Sequence, residues 1–468
     1  MNYQIERNPA LQFSNATSDA MRKLGFSKQG LMYQSVWDIT DNLMSYLKYD
    51  GDELTLPENL VIWRSLWEEL ESNTKIGDDH FANINQEGSK RGRSYGSEFF
   101  TPALHSDIMC NVAVDSLMCL SKKLQKDERL KILEPSCGTG AILMRFIKAA
   151  YHKCPELLPR MDFIVNDLNR SSTDAVSMNF MLQQLVGVPL TDLTIHNGDA
   201  LKLLPMYEGQ IHCVIGNPPF HKVSSNNYPA GMTLPCFYNK PLEYLYANGG
   251  LKIDSPTFKD VDGKKLSKLK YNSTVPLDIA ITEMSIRLLK PLGICSLVIP
   301  DGILANSKSK AFRQGLIDGA HNDSPINLLS NMSLPSTTFL HSETSVKTSI
   351  LTISKNVAVD SVMMAVIEDL GWDSRTKALR EDDITKGNID KLLSELKKTY
   401  AHCVQKTLCD ETLLTTSGLD NRYLEATKPV LLTASVPVFE SGRCKPAELI
   451  NINPHQDNID LAMSVNSI

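Results

Sequence analysis

The sequence has no pair of cysteines at C-x-x-C spacing and no histidine cluster at metal-ligand spacing; its 10 Cys and 10 His are scattered. That argues against the common structural zinc modules and a disulfide-built scaffold, and the expectation is free thiols, no metal site and a reducing cytoplasm. No apolar run approaches the roughly 20 residues of a membrane span, so a membrane is not expected as a partner. The opening "MNYQIERNPALQF" lacks the apolar core of a secretory leader, which again points to a cytoplasmic protein. Basic residues are not in excess: 48 Lys and Arg stand against 54 Asp and Glu, for a formal net charge of −6. A protein that grips nucleic acid unaided needs clustered Lys and Arg, so that class is disfavoured. Glycine and proline, 25 and 23 residues, are too few for a fibrous or low-complexity chain. What is left is a globular protein, 42% hydrophobic, whose 468 residues suffice for two or three domains.

Periodicity divides the chain. Met32, Val36, Ile39, Leu43 and Leu47 recur at helical spacing, and Leu60, Trp63, Trp67 and Leu70 form a second stripe after Pro57. A helical N-terminal domain over 1–90 is expected, with "NQEGSKRGRSYGS" (85–97) as its polar connection onward. Short apolar runs then alternate with helical patterns: "LKILEPS" (130–136), "MDFIVND" (161–167), "LTIHNGD" (193–199), "HCVIGNPP" (212–219), "ICSLVIPDG" (294–302), "INLLSNM" (326–332) and "TSILTIS" (348–354). This alternation predicts an α/β fold over 91–356, a mostly parallel sheet covered by helices. One predicted helix is "DIAITEMSIRLLKPLG" (278–293), with Gly293 as its C-cap. Beyond 356 the signal fades into a mixed region, 357–468. It holds one amphipathic helix over 388–405, with Ile389, Leu392, Leu393, Leu396 and Tyr400 on its apolar stripe.

Ligands of such sheets bind at the carboxyl ends of the strands, where the conspicuous residues fall. Glu134-Pro135-Ser136-Cys137-Gly138-Thr139-Gly140 follows the first strand, and Gly138 and Gly140 permit a sharp turn and close approach of a ligand. A third glycine at dinucleotide spacing is missing, as is a Lys-Ser/Thr pair, which weakens NAD and ATP readings. The acidic Glu134 suits a cationic or hydroxyl-bearing ligand. Asp167 ends the next strand, where a carboxylate accepts ribose hydroxyls or caps the following helix; Asp199 has the same two possibilities, an adenine amino group or a helix cap. After the fourth strand comes Asn217-Pro218-Pro219-Phe220. The lone pair of an adenine N6 amino group is delocalised into the ring. Two rigid acceptors, the Asn217 side-chain oxygen and the Pro218 carbonyl, would localise it for attack on a sulfonium methyl. The prolines supply the stiffness, and Phe220 offers a face for an extruded base.

"EPSCGTG" followed by "NPPF" resembles the amino-group methyltransferases that use S-adenosylmethionine. "SEFFTP" (97–102) upstream, with "DIAITEMSIRLLKPLGICSLVIPDGIL" (278–304) and "SLPSTTFLHSETSVKTSILTISK" (333–355) downstream, is similar to the N6-adenine methylation (M) subunits of type I restriction-modification systems. The resemblance covers about residues 95–356. It implies a Rossmann-like S-adenosylmethionine-dependent domain behind a helical N-terminal one. It assigns Glu98, Phe99, Phe100, Thr101 and Pro102 to the methionine side of the cofactor, Ser136, Cys137 and Gly138 to the loop beside it, and Asp167 to its ribose. Asn217, Pro218 and Phe220 match the catalytic tetrapeptide. Two departures stand out: Glu134 where the family has Asp, and Cys137 where it often has Ala.

The implied substrate is double-stranded DNA. Between Phe220 and Pro276, Tyr228, Phe237, Tyr238, Tyr244, Tyr246, Phe258 and Tyr271 accompany the basic run "DGKKLSKLKY" (262–271), a composition that fits either a flipped-base surface or a solvated loop. No region after 356 is large enough for a full sequence-reading domain. A separate specificity subunit is therefore expected, with a restriction subunit as a further partner. "SGLDNRYLEA" (417–426) faintly resembles the start of a recognition region. Competing readings are a stand-alone or phage DNA adenine methyltransferase, a protein-glutamine or RNA N-methyltransferase, and a cofactor-binding scaffold without activity.

Overall fold

A computed structural model describes residues 68, 72–81, 101–220, 222–224, 274–305, 326–339, 346–355, 361–368, 372–373, 378–379, 383–405, 428–434 and 449–451. The expected N-terminal helices, the 85–97 connection, Glu98, Phe99, Phe100, the aromatic and basic run within 225–273 and the 417–426 stretch lie outside these residues.

The described elements, in chain order, are α1 (Ala103–Ser121), β1 (Leu130–Glu134), α2 (Ala141–Lys153), β2 (Met161–Asp167), α3 (Arg170–Leu185), β3 (Asp192–Asn197) and the short α4 (Ala200–Leu203). They continue with β4 (Ile211–Gly216), β5 (Lys222–Ser224), β6 (Thr274–Pro276), α5 (Leu277–Leu288), β7 (Leu289–Pro300) and α6 (Asp301–Ala305). Last come β8 (Ile326–Ser333), β9 (Thr348–Lys355), β10 (Ser361–Ile367), β11 (Trp372–Asp373), β12 (Ala378–Leu379), α7 (Asp383–Tyr400), β13 (Lys428–Ala434) and β14 (Leu449–Asn451).

Ten strands form one sheet in the order β14-β13-β10-β8-β9-β7-β4-β1-β2-β3. Pairings from β3 through β7 are parallel, and β9 runs antiparallel between β7 and β8. This is the mostly parallel, helix-covered sheet expected. Successive strand residues feed two cores on opposite faces: Ile132, Phe163, Val165, Cys213 and Ile215 join the core that includes α1 and α2. Leu133, Ile164, Ile211 and Val214 join the core that includes α5. Burial on both faces explains why these strands read as continuous apolar runs without alternation.

Chain order reverses between β1 and β4: β2 and β3 extend one way, β7 and β9 the other. A crevice opens above such a switch point because the connections on either side leave in opposite directions. The loops it separates are those after Glu134 and after Gly216.

Three differences from the sequence reading are informative. The helix expected over 278–293 stops at Leu288, and "LKPLG" begins β7. Pro291 forbids helix there and biases the residue before it towards extended backbone. Gly293 is not a C-cap: a Cβ on it would sit 2.8 Å from the Ile211 carbonyl oxygen, at the register slip between β4 and β7. Strands also continue past residue 356, since β10 pairs with β8 and β13 with β10 in the same sheet. The helix expected over 388–405 begins at Asp383 and finishes in a π-helical turn, Ala401–Gln405; Tyr400 is buried and shares a hydrogen bond with the Ser116 hydroxyl of α1.

Cys110, Cys137, Cys154, Cys213 and Cys295 are free and buried, as expected, whereas Cys119 is disulfide-bonded. Among the described residues no group of His, Cys, Asp or Glu could hold a metal ion, and no helix is long and apolar enough to cross a membrane.

Candidate active site

The loop after β1 is held in part by hydrogen bonds to the end of β2. The Cys137 amide donates to the Asn166 carbonyl at 2.9 Å, and the Gly138 amide donates to Asp167 Oδ2 at 2.8 Å. Gly140 takes a left-handed conformation (φ +87°) to start α2, and a Cβ there would lie 3.0 Å from Val176 Cγ2. Glycine is therefore required for both the backbone angle and the close approach of α3. Asp167 also accepts from the Asn169 amide at 2.9 Å, so one carboxylate sets the glycine loop and caps the turn into α3. Of the two roles considered for it, the helix-capping one is present in the fold, and both carboxylate oxygens accept backbone amides.

Glu134 is buried beneath this loop. Its Oε2 has no hydrogen-bond partner among the described residues. Burial holds its carboxyl well above the usual range; an amide hydrogen bond from Leu143 opposes that rise, and the negative charges of Asp167 and Asp79 add to it. Asp167 and Asp79 are themselves pushed up by burial. Carboxylates raised in this way are relieved by a cation. Thr101, whose Oγ1 is likewise buried without a partner, precedes Pro102, the N-cap of α1. Asp199 caps α4, accepting from the Leu201 amide at 3.0 Å through Oδ1, while Oδ2 lies 3.6 Å from Lys202 Nζ. Its helix-capping role is thus present in the fold. Cys137 is buried and its thiol pushed well up, so it is a packing residue with no nucleophilic character.

Across the switch point, β4 delivers Asn217, Pro218, Pro219 and Phe220. Ser136 Oγ donates to the Asn217 carbonyl at 3.3 Å, which joins the tetrapeptide to the glycine loop directly. Gly216 keeps the two loops close: a Cβ there would meet Pro135 Cδ at 3.4 Å. Pro218 is buried, Asn217 half-buried with its Oδ1 shielded from solvent, and Phe220 half-buried. The Phe220 ring meets Phe339 edge to face, centroids 6.1 Å apart at 89°. Phe339 is fully buried at the end of a turn in which Thr338 donates backbone and side-chain hydrogen bonds to the Pro335 carbonyl.

The structure thus brings together Glu134, Ser136, Cys137, Gly138, Gly140, Asp167 and the tetrapeptide, and sets Asp199 at the end of the next strand over. Sequence reasoning missed Asn166 and Phe339 here, and a buried acid after β7. Asn166 donates its side-chain amide to the Pro135 and Gly198 carbonyls, both at 3.1 Å, and so ties the ends of β1 and β3 together. Phe339 supports Phe220. Asp301, buried after β7, accepts from Ser349 Oγ at 2.6 Å. Only Phe339 and Asp301 had a signal, through the quoted "SLPSTTF" and "IPDG" stretches.

A family model for N-6 DNA methylases matches residues 79–411, well over half of the chain. The chain belongs to the N-6 DNA methylase family. No curated protein sequence matches this methylase. Among solved structures it is similar to a protein of Listeria monocytogenes described as a class I S-adenosylmethionine-dependent methyltransferase (18% identity, 83% of this chain and 99% of that one, TM-score 0.49). It is also similar to a type I restriction-modification methyltransferase subunit from Streptococcus thermophilus (19% identity, 85% and 75%, TM-score 0.46).

Membership implies S-adenosylmethionine as the methylase's cofactor. The residues present fit it. Its positive charge answers the raised carboxylate of Glu134, and its ammonium group suits Glu134 Oε2, which has no partner among the described residues.

Proposed function

We propose that the chain is an adenine-N6 DNA methyltransferase that uses S-adenosylmethionine and works with a separate sequence-reading subunit. The observation that carries the reading is the junction of the Asn217-Pro218-Pro219-Phe220 turn with the glycine loop at the switch point, through Ser136 Oγ and the Asn217 carbonyl. When bound, S-adenosylmethionine supplies an electrophilic methyl group on a sulfonium.

The residues of the chain divide the remaining work. Glu134 and Thr101 hold the amino-acid end, and Asp167 the ribose. Asn217 Oδ1 and the Pro218 carbonyl accept the two N6 hydrogens of the target adenine and draw its nitrogen towards tetrahedral geometry. Two prolines keep both acceptors in place, so little reorganisation is spent during reaction. Phe220, braced by Phe339, carries the face of the base after it leaves the helix. The N6 proton passes to solvent once the nitrogen has become cationic and strongly acidic. No side chain need act as a strong base.

The β5–β6 ribbon supports DNA as substrate. It pairs Lys222–Ser224 with Thr274–Pro276, which sets the two ends of the 225–273 interval side by side just after Phe220. That interval carries the Tyr, Phe and Lys residues suited to an opened strand. The acidic net charge of −6 supports a partner that supplies most phosphate contacts. The test is transfer of tritiated methyl to duplex DNA, RNA and protein, by the chain alone and with a co-expressed specificity subunit. N6-methyladenine in DNA, increased by the partner, is expected. Labelled glutamine or RNA with unlabelled DNA would refute the proposal.

A further inference from the structure

Residues 74–81 form a strap across α2 and α3 that no part of the proposed chemistry uses. Its fastening is specific. Gln183 Oε1 accepts from the Gly77 amide at 2.9 Å, and Gln183 Nε2 donates to the Lys75 carbonyl at 3.3 Å. One turn earlier on α3, Asn179 Oδ1 accepts from the His80 amide at 3.1 Å, and Asn179 Nδ2 donates to Asp79 Oδ1 at 2.8 Å. Gly77 adopts φ +88°, and a Cβ there would sit 2.7 Å from Lys148 Cβ, so the turn is pressed directly onto α2. Phe81, fully buried, ends the strap.

The carboxylate at the centre reaches into the glycine loop. Asp79 is 9% exposed. It accepts three hydrogen bonds: from Asn179, from the Phe81 amide at 2.9 Å, and from Thr139 Oγ1 at 2.6 Å. Thr139 lies between Gly138 and Gly140, and its carbonyl is held by Asn179 Nδ2 at 3.0 Å. Docking a strap on two helices needs only apolar contact, and a buried carboxylate is a costly way to achieve it. What the carboxylate adds is a fixed acceptor for the Thr139 hydroxyl of the loop. Glycines flank that hydroxyl on both sides, so its anchor adds a constraint to a stretch of backbone with few of its own.

We propose that Asp79 is a positioning residue for the cofactor loop, acting through Thr139, and so raises S-adenosylmethionine affinity without touching the cofactor. This inference rests on the reading of the site given above. Asp79 touches neither cofactor nor adenine; it fixes the loop that does.

The test measures S-adenosylmethionine binding by calorimetry on the full-length chain, together with KM and kcat. Thr139→Val removes the hydroxyl at nearly constant shape, and Thr139→Ser retains it. Thr139→Val and Asp79→Ala are each expected to weaken binding about tenfold, the worth of one charge-assisted hydrogen bond. KM for S-adenosylmethionine rises to match, while kcat at saturation stays near wild type. Thr139→Ser binds like wild type, and the double variant is no weaker than Asp79→Ala alone. Equal binding by all variants overturns the proposal, as does a Thr139→Ser variant as weak as Thr139→Val. Should Asp79→Ala not fold, the Thr139 pair decides the matter alone. Failure of the wild-type chain to bind S-adenosylmethionine would refute the reading of the site itself, and the inference with it.

Discussion

Glu134 buries a carboxylate beneath the glycine loop with one oxygen left for a ligand donor, at a position where burial and two neighbouring acids raise its pKa well above the ordinary 4.5. Burial disfavours the ionised form in the free protein and a bound cation favours it, so cofactor binding is coupled to loss of a proton across the range of the raised pKa. Affinity for S-adenosylmethionine is therefore expected to weaken as pH falls through the raised pKa and to level off above it. Glu134→Gln should bind weakly at every pH with that slope lost, and a variant keeping the wild-type slope would remove Glu134 from the role. Side chains of this kind were legible in the sequence because they follow strand ends within a few residues. Asn166 was not. It joins loops 31 and 32 residues away in sequence, and nothing local distinguishes it from any polar residue ending a strand.

At the scale of the element, the turn into α2 shows how little tolerance the site has. Gly140→Ala must hold φ near +87°, costing about 1–2 kcal/mol for a residue with a Cβ, and also displace Val176. A lower thermal midpoint and weaker S-adenosylmethionine binding are expected. Val176→Ala in the same chain should restore part of the loss by removing the contact while leaving the backbone strain. An unchanged Gly140→Ala protein would show that the loop adopts another conformation. The strands around this turn were legible because burial on both faces makes them uniformly apolar. The end of α5 was misread: the helical spacing of "DIAITEMSIRLL" runs without a break into "KPLG", and only the proline marks the change. β10, β13 and β14 escaped because their partners lie far away in sequence, and short runs such as "SVMMAVI" do not distinguish strand from buried helix.

For the whole molecule, the end of the sheet remote from the site holds a second polar assembly that makes folding depend on pH. Glu128 receives hydrogen bonds from Lys290 of β7 and from His212 Nε2 of β4, the latter at 3.0 Å. The Lys131 amide donates to His212 Nδ1 at 3.0 Å, which fixes the neutral tautomer with its proton on Nε2. Burial lowers the His212 pKa below its ordinary 6.5, and Lys290 lowers that of Glu128 below 4.5. A histidine with a depressed pKa contributes stability that is present above 6.5 and lost as pH falls towards its folded value, because the unfolded chain then binds more protons. The thermal midpoint should fall from pH 7.5 to 5.5, and His212→Gln should flatten that slope; a slope unchanged in the variant would assign it to other groups. Lysine, glutamate and histidine at three separate strand starts meet only once β1, β4 and β7 are aligned, so this assembly could not be read in advance. The central claim is that Asn217 activates the adenine amino group without holding the cofactor. Methyl transfer to adenine N6 by the partnered Asn217→Ala protein, measured beside calorimetric binding of S-adenosylmethionine, tests it most directly. Transfer should fall by about a hundredfold or more with binding near wild type, whereas full transfer, or loss of binding equal to the loss of transfer, would contradict the account.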